Sequence, residues 1–237
     1  MTYIIAECGL NHNGSIETAK ELIQKANEVG ADCAKFQMYR TETLCSKRHQ
    51  PKLFKQFKDC ELPWKDFVDL KHYCDEIGID FMCTPEGIPE AVYLNNLVDT
   101  WKISSVGACN PHLLKLINTF RKPVYISDGL LNDYALAKSI VLLSDCIVTP
   151  LSCVCDYPAE ENYRVVNSIR ILYSHYKRVG YSDHTLGSGN AEAISKDGLA
   201  SVFEKHFTLD KTQDGFDHHM SLEPKEMKEY IRRIRNA

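Results

Sequence analysis

Two histidines, His184 and His206, each close a short apolar run, and a helix-like segment separates them in VGYSDHTLGSGNAEAISKDGLASVFEKHFTLD (179–210). Imidazole suits Mn²⁺, Fe²⁺, Co²⁺ or Zn²⁺. Two histidines make an incomplete shell, with positions for water or substrate oxygens, as a catalytic Lewis acid needs. Two lysines have equally unusual settings. Lys35 in CAKFQ and Lys102 in TWKIS interrupt apolar runs, where an ammonium is costly without an anionic partner. Ser105, Ser127 and Ser182 add hydroxyl donors, and Gly187-Ser188-Gly189 offers backbone N–H groups at the positive end of a predicted helix. Together these suit a phosphorylated or carboxylated small molecule. Glu7 and Asp217 could orient a metal-bound water or a sugar hydroxyl. Taken singly, each residue has a plainer explanation: a serine capping a helix, a lysine snorkelling, a histidine resting on a carbonyl. The joint pattern carries the reading.

Such residues converge only if the fold collects them. Strand-prone segments occur at 3–7, 33–37, 80–84, 99–104, 123–127, 146–151, 178–182 and 201–206. Between them lie stretches of helical periodicity; ETAKELIQKANEVG (17–30) places Ala19, Leu22, Ile23 and Ala26 on one face. Eight strand–helix pairs in this order imply parallel pairing through right-handed crossovers. The expected fold is α/β, a (β/α)₈ TIM barrel forming one domain over 1–237, with a doubly wound open sheet as runner-up. Barrel active sites gather at the C-terminal strand ends. Those ends read Glu7, Lys35 with Gln37, Thr84, Lys102 with Ser104 and Ser105, and Ser127 with Asp128; Tyr157 follows the sixth strand, and Ser182-Asp183-His184 and Glu204-Lys205-His206 close the last two. The stretch 38–62 reads as a long irregular loop over the mouth. His12 is expected to brace the first loop, and His218 and His219 to lie in solvated chain.

Composition narrows the class. Hydrophobic residues make up 44% of the 237, enough for a sizeable core, and the net charge of -4 leaves no footprint for nucleic acid. No apolar run reaches the ~18 residues of a membrane span, and MTYIIAECGL lacks the layout of a signal peptide. The ten cysteines contain no CxxC pair; Cys153 and Cys155 are two apart, a poor zinc spacing. Reduced thiols in a cytoplasmic protein are expected.

The segments AECGLNHNG (6–14), AKFQ (34–37), GYSDHTLG (180–187), EKHFTLD (204–210) and DHHMSLEP (217–224) closely resemble, in the same order, the sialic acid synthase family, which includes N-acetylneuraminate, legionaminate and pseudaminate synthases. The resemblance implies an enzyme, a transferase that condenses phosphoenolpyruvate with the open-chain aldehyde of an N-acetylated amino sugar to give a nonulosonic acid and phosphate. It implies Mn²⁺ as cofactor, with Mg²⁺ or Co²⁺ as substitutes, held by His184 and His206. Lys35, Lys102, Ser105, Ser127 and Ser182 match positions that hold phosphoenolpyruvate; Glu7, Gln37, Tyr157 and Asp217 match positions near the acceptor or metal-bound water. Thr84 joins the substrate-binding set, and Glu7 joins the histidines as catalytic. The partners implied are these small molecules and a second copy in a homodimer.

Departures are equally specific. The family segment KIxSGE reads KISSVG, so Val106 and Gly107 replace Gly and Glu; STGM reads SDGL, adding Asp128; and Cys155 replaces an Asn or Ser. The chain stops soon after the eighth helix, so a barrel lacking the family's C-terminal antifreeze-like domain is expected. The missing glutamate motivates an alternative: an altered barrel that binds or scaffolds sugars in surface-polysaccharide biosynthesis.

Overall fold

The protein is described by a computed structural model covering residues 2–237, apart from the side chain of Tyr163. Eight strands alternate with helices as expected: β1 Tyr3–Gly9, β2 Cys33–Met38, β3 Asp80–Pro85, β4 Trp101–Ile103, β5 Val124–Ser127, β6 Val148–Cys153, β7 Gly180–Asp183 and β8 Val202–His206. The helices are α1 Ile16–Glu28, α2 Thr41–Leu44, α3 Pro51–Cys60, α4 Trp64–Ile77, α5 Ile88–Leu94, α6 Ser105–Ala108, α7 Pro111–Phe120, α8 Asp133–Val141, α9 Tyr163–Tyr176, α10 Gly189–Lys196 and α11 Pro224–Arg235. All strand pairs are parallel, in the order β3-β2-β1-β8-β7-β6-β5-β4. β3 and β4 flank the one seam not joined by a ladder, so the sheet is a nearly closed (β/α)₈ barrel.

Local chemistry sets the element ends. Ser15 caps α1 by accepting from the Thr18 amide, Asn110 and Asn132 do the same for α7 and α8, and Glu223 with Glu226 forms a capping box on α11. Gly78 ends α4 in the left-handed region. The apolar faces of the helices pack on the outward residues of the strands to form the main core.

Three corrections arise. The stretch 38–62 is not irregular: it holds α2 and α3, with Leu53, Phe57 and Cys60 spaced as a helical stripe behind a Pro51 start. The turn α6, just after β4, was also unforeseen. β6 begins at Val148 rather than 146 and runs on to Cys153, where Leu151, Ser152 and Cys153 pair with β7.

The barrel interior is built in tiers by the two-residue repeat of strands. Ile5, Cys33, Met82, Leu151 and Val202 form an apolar plug with Tyr3 and Tyr125 packed on it. Two residues further along those strands stand Glu7, Lys35, Thr84, Cys153, Glu204 and Ser127, and the interior turns polar toward the C-terminal end. That step from apolar to polar is where the site begins.

Candidate active site

A cavity of about 390 Å³ opens at the C-terminal strand ends. The twelve residues given catalytic, metal-holding or substrate-binding roles all line it: Glu7, Lys35, Gln37, Thr84, Lys102, Ser105, Ser127, Tyr157, Ser182, His184, His206 and Asp217. The volume suits a small metabolite.

A charge cluster forms its floor. Lys35 Nζ lies 2.7 Å from Glu7 Oε2 and 3.6 Å from Glu204 Oε1. Lys102 Nζ reaches the same Glu204 oxygen at 3.5 Å, and Ser182 Oγ donates to it at 3.0 Å. Burial opposes charge on Glu204, but Lys102, Lys35, Ser182 and His206 together hold its carboxyl down at about 2. Burial likewise opposes the Lys35 ammonium, and Glu204 and Glu7 outweigh it, raising its pKa. The anionic partners that buried lysines need are here supplied from within the protein, by Glu7 and Glu204. Among the described residues Lys102 makes one long ion-pair contact, and it lines the cavity, so it retains donors for a ligand. Gln37 Nε2 donates to the other oxygen of Glu7 at 2.7 Å. Gly9, at φ +47°, makes room beside this pair: a Cβ there would lie 3.1 Å from Glu7 Oε1 and 3.5 Å from Asp217 Oδ2.

The histidines stand above this floor with ring centroids 5.6 Å apart. His184 Nδ1 donates to the Val154 carbonyl, which assigns the proton to Nδ1 and makes Nε2 the acceptor nitrogen, 3.5 Å from Ser182 Oγ. His206 Nδ1 is buried without a hydrogen-bond partner among the described residues, 3.6 Å from Asp217 Oδ2. Burial lowers both pKa values, that of His206 to about 4, so both rings are neutral at pH 7. Burial pushes the Asp217 carboxyl up, while His206 draws it back. Tyr157 stacks on His184 at 4.3 Å and meets His206 edge-on at 6.1 Å. Among the described residues no three His, Cys, Asp or Glu side chains form a ready-made metal cluster. The chemistry that fits a cation here is that of two neutral imidazoles, one with an orphaned nitrogen, so any cation would need water or substrate oxygens besides.

Sequence reasoning missed several lining residues. Glu204 was noted only as a strand-end group, although the period of VFEKH puts it on the same inward face as His206. Leu10, Phe57 and Phe216 form an apolar rim, with Phe57 stacked on Phe216 at 4.6 Å; their partnership joins three distant segments and leaves no local trace. Glu86 also lines the cavity, its pKa raised by burial.

Other expectations need correction. Gly187-Ser188-Gly189 does not face the cavity, and its helix end is already occupied: Glu161 Oε1 accepts from the Gly189 amide at 2.8 Å. Asp128 is turned away to accept from the Cys153 amide at 2.9 Å, and burial pushes its pKa up to about 7, which weakens its charge near neutral pH. His218 is buried, bonded to Thr208 Oγ1 at 2.7 Å, whereas His219 is exposed as expected. His12 does brace the first loop, accepting from the Gly14 amide at 3.0 Å. Gly107, where the strand-4 glutamate was missing, faces Ile103 and Leu113, and Val106 lines the cavity instead. No helix among the described residues is long and apolar enough to cross a membrane.

Known proteins share this architecture. The chain is 40% identical to an uncharacterized protein of Methanocaldococcus jannaschii over 99% of its own length and 70% of the relative's. It is 36% identical to the N,N'-diacetyllegionaminic acid synthase of Legionella pneumophila, covering 99% of this chain and 72% of that one. Among solved structures, the N-acetylneuraminic acid synthetase of Leptospira borgpetersenii superposes with a TM-score of 0.94 at 30% identity, covering 99% of this chain and 83% of that one. The sequence pattern of the NeuB family matches residues 22–237. The chain is an enzyme, and it belongs to the NeuB family.

Proposed function

We propose that the protein condenses phosphoenolpyruvate with the open-chain aldehyde of an N-acetylated amino sugar, giving a nonulosonic acid and inorganic phosphate. The observation that carries this reading is the cavity floor, where two buried lysines and three serines face two neutral imidazoles across one small space. Lys35, Lys102, Ser105, Ser127 and Ser182 would bind the phosphate and carboxylate of phosphoenolpyruvate. Glu7 and Gln37, hydrogen-bonded to each other, would orient the acceptor or the attacking water. Tyr157 would cover the acceptor from the open side, Thr84 would steady Lys35, whose Nζ lies 3.4 Å from its hydroxyl, and the rim of Leu10, Phe57 and Phe216 would exclude bulk water.

In the reaction, C3 of phosphoenolpyruvate bonds to the aldehyde carbon and the aldehyde oxygen takes up a proton. Water then adds at C2, and phosphate departs with cleavage of its C–O bond. A divalent cation, Mn²⁺ with Mg²⁺ or Co²⁺ as substitutes, would be held by His184 and His206 and supply Lewis acidity at the aldehyde oxygen. Asp217, whose burial raises its proton affinity, would hold or accept a proton at Oδ2 beside His206. A protein working on such soluble metabolites would act in the cytoplasm, and a second copy could cover the mouth in a homodimer.

One observation favours the alternative of a barrel that binds without turnover: just after β4 the apolar Val106 lines the cavity, and Gly107, in place of the family's glutamate, brings no carboxylate there. The two readings separate in one assay. Purified protein with Mn²⁺, phosphoenolpyruvate and a panel of N-acetylated hexoses should release phosphate with one acceptor and not in a His184→Ala control. Calorimetric binding of phosphoenolpyruvate with no phosphate release would favour the alternative.

A further inference from the structure

Cys153 and Cys155 both line the cavity, one from the last residue of β6 and the other from the loop beyond it. Opposite them is Gly129. A Cβ at Gly129 would lie 2.5 Å from Cys155 Sγ and 2.6 Å from Cys153 Sγ. Both distances run from one point, so the two sulfurs occupy adjoining space, and the glycine is what leaves it free. Ser105 Oγ, 3.4 Å from Cys153 Sγ, closes the group. Residues two apart on extended chain have Cα atoms about 6.6 Å apart, inside the range a disulfide can bridge.

We propose that Cys153 and Cys155 form a peroxide-sensitive thiol pair, a modification site that closes the cavity by oxidation to a disulfide. Cys155 is the attacking thiol. It is the more exposed of the two, and the Cys153 thiol, as hydrogen-bond donor, holds its pKa down at about 6. Its sulfur attacks one oxygen of hydrogen peroxide, the O–O bond breaks, and the departing hydroxide is protonated to water. The sulfenic acid on Cys155 is then attacked by Cys153 sulfur; the S–O bond breaks, and hydroxide leaves with the Cys153 proton as a second water. Two thiols lose two electrons, and peroxide is reduced to two waters.

Val154 makes the consequence specific. It lies between the two cysteines, and its carbonyl is the group that bonds His184 Nδ1. Closing so short a ring reorients the Val154 peptide, so oxidation removes the support of His184 as well as Ser105's neighbour. A bridge across one intervening residue is strained and therefore readily reduced, which makes the change reversible.

The test uses the full chain, treated with hydrogen peroxide, alkylated with iodoacetamide and digested for mass spectrometry. The expected result is a peptide bearing both cysteines, unalkylated and lighter by two hydrogens, that returns to the dialkylated form after dithiothreitol. Cys155→Ser should abolish this product, and Cys153→Ser should leave a sulfenic acid on Cys155 that dimedone traps. Phosphate release should fall and recover in step with the bridge; that arm alone rests on the synthase reading, and the mass measurement stands without it. The proposal is overturned if Cys155 alkylates no faster than the exposed Cys109, or if peroxide yields only sulfinic or sulfonic acids with no bridged peptide.

Discussion

Replacing Glu204 with glutamine tests the charge cluster at the centre of the site. Glu204 is buried between Lys35 and Lys102, at 3.6 and 3.5 Å, and accepts from Ser182. The amide keeps the shape and the Ser182 bond but removes the charge that both ammonium groups face. Burial alone would raise this carboxyl; the two lysines and Ser182 instead carry it from 4.5 to about 2. A displacement of that size is worth about 3 kcal/mol of folding stability, at the lower edge of the roughly 3–5 kcal/mol for breaking a buried ion pair. For a chain of this length the loss translates to a melting temperature lower by roughly 6–12 °C. The sign fixes the pH window. The folded pKa lies below the unfolded one, so the contribution is complete above about pH 4.5 and is lost as pH falls toward about 2. Scanning calorimetry of wild type and Glu204→Gln at pH 7 should show the full deficit, shrinking by about half near pH 3. Added inorganic phosphate should stabilise the variant more than wild type, because an external anion replaces the missing charge. Equal melting temperatures at pH 7, or a deficit as large near pH 3 as at pH 7, would refute the reasoning.

Three further outcomes follow from the same structure. Asp183 accepts from Tyr230, Tyr181 and Thr185 and pairs with buried Lys205 at 3.2 Å, on the outer face of the barrel wall. Asp183→Asn should cost about 3 kcal/mol in denaturant unfolding yet leave the affinity for phosphoenolpyruvate unchanged, since neither partner lines the cavity. Gly14→Ala should destabilise by about 1–3 kcal/mol, because its φ is +77° and a Cβ would lie 2.2 Å from the Asp59 carbonyl; urea midpoints measure it. Chelation with EDTA should abolish phosphate release, and Mn²⁺ should restore it in wild type but not in His206→Ala.

Much of the architecture is legible in the sequence because the relevant signals are periodic and local. The repeat of two in VFEKH and the helical stripe of ETAKELIQKANE each report burial on one face, and eight such units leave few topologies. Several residues that face the cavity follow from the same repeat, standing two positions beyond an apolar residue of the interior plug, as Glu7 follows Ile5 and Lys35 follows Cys33. Other features have no local signature. Helix α3 lacks an N-terminal capping side chain and is held by packing of Phe57 on Phe216 and Tyr39, more than a hundred residues and nearly twenty residues away respectively. The glycine-rich start of α10 resembles an anion site, but Glu161 from the preceding loop fills it. His218 reads as solvated until Thr208 and Asn13 are brought beside it by the fold. In each case a tertiary neighbour decides, and spacing along the chain does not reveal which neighbour arrives.

The central claim is that the site joins two carbons and releases phosphate by breaking the C–O bond. Phosphoenolpyruvate carrying heavy oxygen in its bridging position distinguishes this from simple phosphoester hydrolysis. With Mn²⁺ and the active acceptor, the account predicts that the label leaves in the phosphate, in equal amount with a new keto sugar acid. Label retained on the carbon product, or phosphate released equally without an acceptor, would contradict it.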